Sequence, residues 1–69
     1  MDRFNKLSNK DKRQLFFSVL CYMVKYKRNN GWLEFAGDGF LFFDSKPNNF
    51  PEAFEVTIEN LKNWIEKLK

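Results

Sequence analysis

The sequence predicts a small single-domain α+β fold in the order α–β–β–α, an antiparallel hairpin packed against two helices. Three observations predict it. A long apolar-rich segment over residues 9–29 has helical spacing, and a shorter one over 58–68 repeats it. Between them, Gly37-Asp38-Gly39 separates two aromatic runs, the pattern of a tight hairpin.

The first helix begins at a capping signal. Ser8 reads as the N-cap, with Asp11 three residues on in the place where a capping box carries Glu or Gln. Lys25, Lys27 and Arg28 fall near the far end, where cations complement the helix dipole. Asn29-Asn30-Gly31 is the stop, with Gly31 expected in the left-handed position after the helix. The contact that accompanies this cap would set Trp32 against Tyr26 or the stem of Lys27. Residues 1–7, ahead of the cap, are read as flexible.

The hairpin strands are expected at about 32–36 and 40–44. A two-residue turn puts Leu33, Phe35, Phe40 and Phe42 on one face. Trp32, Glu34, Ala36, Leu41 and Phe43 take the other, so both faces carry large apolar groups. Residues 45–51 form a loop with two prolines and two asparagines, and Phe50 is expected to pin it to the core. Residues 52–56 are open between one helical turn and a short third strand at 54–56. Thr57 then caps the second helix, Ile58–Leu68. Its apolar stripe is Ile58, Leu61, Trp64, Ile65 and Leu68, a one-sided face of ordinary width.

The first helix is wider. At 100° per residue, Tyr22, Leu15, Tyr26, Val19, Met23, Phe16, Leu20, Val24 and Phe17 fill a continuous arc of roughly 220°. Cys21 sits at its border. An arc that wide needs protein on two sides. One flank is Phe17, Leu20 and Val24; the other is Leu15, Tyr22 and Tyr26. Either is a candidate protein interface, because apolar patches left open on a small domain mark contact surfaces.

Size sharpens that expectation. A chain of 69 residues buries only roughly 60% of the surface its unfolded form exposes, and small domains usually add a staple. One cysteine cannot close an intrachain disulfide, and without histidine no His-containing metal site exists. Nine Phe, two Trp and two Tyr leave aromatic packing, oligomerisation or both. Residues 1–14 are charged and polar, which predicts no signal peptide. The apolar run from Leu15 to Val24 is too short for a membrane span. An unpaired thiol suits a reducing cytoplasm. The lean toward Lys, Asn and Phe suggests an AT-rich genome, such as a phage or a low-GC bacterium.

Catalytic routes close early. No histidine is present to act as base or to activate a Ser or Cys. Cys21 has one cation in helical register, Lys25, and reads as a small half-buried thiol. Ser8, Ser18 and Ser45 lie at a cap, in mid-helix and in a loop, none within G-x-S-x-G. Asp38 reads as a turn residue and Asp44 as a strand end rather than as paired carboxylates. No enzyme activity, cofactor, metal or small-molecule substrate is expected.

The charge pattern suggests a second class of function. Residues 1–30 hold eight basic and two acidic side chains, a net of +6; the remainder holds four basic and seven acidic, a net of −3. Lys6, Lys10, Lys12 and Arg13 cluster where a helix start disfavours cations. They are candidate contacts to nucleic acid or to an acidic partner. Gly39-Phe40-Leu41-Phe42-Phe43 resembles the aromatic strand of an RNA-recognition motif. Asp38 stands where that motif is basic, and the βαββαβ order is absent, so these rings are read as core. The leading expectation is a non-enzymatic interaction protein that pairs with itself as a homodimer through the first helix, binds a host protein, or does both. A nucleic-acid-binding module is the alternative.

Overall fold

In the computed structural model, which describes residues 2–36 and 39–69, six elements follow one another. They are α1 (Asp2–Asn5), α2 (Asn9–Lys25), β1 (Asn30–Ala36), β2 (Gly39–Phe43), β3 (Phe54–Thr57) and α3 (Ile58–Lys67). The α+β class and the hairpin on two helices are as the sequence predicts. Residues 54–57 form the third strand.

Ser8 caps α2, its Oγ accepting the Asp11 N–H at 3.2 Å. The helix stops at Lys25, four residues short of the sequence expectation, because Lys27 takes the left-handed conformation that Gly31 was expected to supply (φ 56°). The Arg28 N–H then reaches back to the Met23 carbonyl at 2.8 Å, and the Lys27 N–H to that of Val24 at 3.2 Å. This is a complete Schellman closure built on a lysine. Gly31 is released into β1, and Trp32 lies on the sheet face away from the helices, with Lys46 Nζ 5.6 Å from its ring centroid.

β1 is central: the sheet order is β2-β1-β3, antiparallel throughout. Leu33 pairs with Phe42 on one side and Phe54 on the other, and is fully buried. The Ala36–Gly39 pairing fixes the two-residue turn register; Gly37 and Asp38, the turn residues expected from sequence, lie outside the described residues. The register puts Phe35, Phe40 and Phe42 on the helix side and Trp32, Leu41 and Phe43 on the other, as the alternation predicts. The connection from β2 to β3 packs on that second face. Phe50 meets Phe43 there at 5.2 Å, so it anchors the loop to the outer face of the sheet and not to the core.

The core joins Phe16, Val19 and Met23 of α2 to Leu33, Val56, Leu61 and Ile65. Fully burying a side chain of this kind contributes about 1.5–3 kcal/mol. Thr57 ends β3 and caps α3, its Oγ1 accepting the Asn60 N–H at 3.0 Å. The segment read as flexible carries a packed ring. Phe4 of α1 stacks on Phe35 at 4.5 Å and meets Phe16 edge-on at 5.3 Å.

Among the described residues, no helix is long and apolar enough to cross a membrane.

Candidate functional site

The two flanks of α2 have different fates. Tyr22 turns toward the hairpin, where its ring lies 5.2 Å from Phe42 and 5.8 Å from Phe40. Leu15 is half-buried on the same side. Tyr26 is exposed but rests on Tyr22 at 4.6 Å, beneath Lys25 Nζ at 5.5 Å. On this flank Tyr22 is packed against the hairpin rings, while Tyr26 keeps half of its surface open.

The opposite flank is open. Phe17 is 49% exposed and Val24 61%, with half-buried Leu20 between them. Positions 17, 20 and 24 stand at the spacing of an a/d seam, the stripe a helix presents to another helix. Cys21 is exposed on this flank. The half-buried thiol expected from sequence is thus on the surface, because Cys21 projects about 140–160° round the helix from the buried Phe16, Val19 and Met23.

Charge around the open stripe is one-signed on α2. Lys10 and Arg13 project within about 40° of Phe17, Leu20 or Val24, while Asp11 projects about 120° from Phe17. Arg13 is half-buried, and its Nε is fully buried without a hydrogen-bond acceptor. A buried guanidinium donor of this kind normally has a partner. The four cations singled out from sequence do not share one face. Lys12 turns the other way, its Nζ 5.4 Å from the Phe4 ring centroid, and Lys6 is exposed in the link before α2.

Three of the remaining polar candidates have structural partners. Ser8 is a cap, the Ser18 hydroxyl donates to the Gln14 carbonyl at 3.0 Å, and Asp44 pairs with Arg28 at 3.3 Å. Among the described residues no three His, Cys, Asp or Glu side chains gather in a way that could hold a metal ion.

Sequence reasoning missed Phe4. Its signal was the Phe4–Leu7 pair ahead of the cap, two apolar residues at helical spacing in an otherwise polar lead. Comparison with protein-family models, with curated proteins and with solved structures finds no match to this chain. The chemistry of the site therefore rests on its own residues.

Proposed function

We infer that the protein is a small non-enzymatic interaction module that docks another protein on the Phe17–Leu20–Val24 face of α2. The observation that carries this reading is the exposure of Phe17 and Val24 on one seam of α2, with no ring among the described residues packed on them, whereas on the other flank Tyr22 packs against Phe40 and Phe42. A modulator role of the sort phages and mobile elements encode belongs to the same proposal and rests on the composition.

Charge supports an acidic segment of a different protein as the occupant. Lys10 and Arg13 border the seam, and carboxylates on the docking segment would complement their charge. A second copy paired face to face would set Lys10 and Arg13 against themselves in a parallel arrangement, or near Lys25 in an antiparallel one. Like charges so placed oppose association.

A photo-crosslinker on Cys21, the single thiol, tests this in host-cell extract. The expected product is one discrete adduct whose crosslinked peptide is acidic. It is lost with Phe17→Glu plus Val24→Glu and weakened in about 0.5 M salt, where exposed charges are screened. An adduct to a second copy replaces the acidic partner with a homodimer. An adduct indifferent to both substitutions, or none, refutes the docking face.

A further inference from the structure

On another side of α2, about 100–140° round the helix from Phe17, lies a cavity of about 370 Å³. Four elements build it: α1 gives Phe4, α2 gives Phe16 and Lys12, β3 gives Phe54, and α3 gives Trp64 and Lys67. The rings run in a chain, Phe4 to Phe16 at 5.3 Å, Phe16 to Trp64 at 5.4 Å and Trp64 to Phe54 at 5.8 Å. The cavity opens to solvent, and both charged residues that line it are lysines.

We propose that this cavity is a binding site for a small aryl carboxylate. The volume lies within the roughly 300–1,000 Å³ of ordinary ligand pockets, room enough for one phenyl-alkanoate. The aromatic wall supplies the apolar body of a ligand site, and rings there would take another ring edge-to-face or offset. A neutral hydrocarbon would satisfy the wall alone. The lysines select further: two cations and no carboxylate at the lining make an anionic head group the complementary one. Lys12 is held at the mouth by its place over the Phe4 ring, which puts its charge beside the apolar wall rather than in open solvent. This site departs from the sequence expectation of no small-molecule substrate, which rested on the absence of catalytic groups.

Trp64 reports occupancy directly. In a Trp32→Phe background its emission is followed while 4-phenylbutyrate, the matching amide and the matching amine are titrated in turn. The expected result is a saturable change with the carboxylate below about 1 mM. The amide should bind roughly fivefold more weakly, and the amine more weakly still. Lys12→Gln plus Lys67→Gln should bring the carboxylate down to the affinity of the amide and leave the amide unchanged. Far-UV circular dichroism checks that this variant is folded; each single substitution, expected to show an intermediate loss, serves if the double variant is not. No saturable change with the carboxylate overturns the site. Equal affinity for carboxylate and amide overturns the role of the lysines, as does a folded double variant that keeps the preference.

Discussion

The tip of the Phe42 ring occupies the space a side chain at position 31 would need. A Cβ built on Gly31 would lie 2.1 Å from Phe42 Cζ and 2.7 Å from both Cε atoms. Position 31 is thus held as glycine by a ring from the neighbouring strand. Gly31→Ala should destabilise the fold by about 1–3 kcal/mol, as overpacking of a filled core does. In a Phe42→Leu background the same change should cost clearly less, because the clashing atoms are gone. Urea unfolding of the four proteins checks this; strict additivity would show that the ring is not the obstacle.

Lys27 gives the opposite expectation. Its left-handed conformation (φ 56°) costs a residue with a Cβ about 1–2 kcal/mol. Glycine avoids that cost but loses roughly 0.5–1 kcal/mol more chain entropy on folding. Lys27→Gly should therefore stabilise by about 0.5–1 kcal/mol. A higher urea midpoint at unchanged slope is the expected reading. A lower midpoint would mean that α2 does not close at Lys27.

Thr57 serves β3 and α3 at once, pairing with Asn30 in the sheet and capping the helix through Oγ1. Thr57→Ala should cost about 1 kcal/mol, the usual effect of a lost N-cap oxygen. Thr57→Ser should recover most of it. Thermal unfolding separates the two, and equal loss in both variants would assign the effect to the strand methyl instead of the cap.

The two flanks of α2 should respond oppositely to substitution. Phe17→Glu and Val24→Glu fall on the open side and should move stability by no more than about 0.5 kcal/mol. Tyr22→Ala removes a ring packed against Phe40 and Phe42 and should cost about 2 kcal/mol. Met23→Ala, at a fully buried site, should cost about 2–5 kcal/mol. Marked destabilisation by Phe17→Glu would show that the Phe17 ring is part of the fold, and the docking face would lose its basis.

The sequence by itself determined the elements whose signals are local. Ser8 and Thr57 placed the helix starts, because an N-cap is a contact across three residues. The Gly-Asp-Gly spacing and strict alternation determined which of Phe40 to Phe43 turns inward. The wide apolar arc of α2 was also legible, because helical spacing is a local property. Only the tertiary structure decided the rest. It ended α2 at Lys25 and closed it through Lys27, because two backbone bonds to the Met23 and Val24 carbonyls outweighed the glycine signal at Gly31. It drew Gly31 into the sheet under Phe42, and set Phe4 against Phe16 and Phe35 to complete an aromatic cavity. It covered Tyr22 and left Phe17 open. An apolar residue's pattern along the chain says that it needs a neighbour. Which neighbour arrives depends on contacts between residues far apart in sequence, and those are fixed only when the sheet and helices pack.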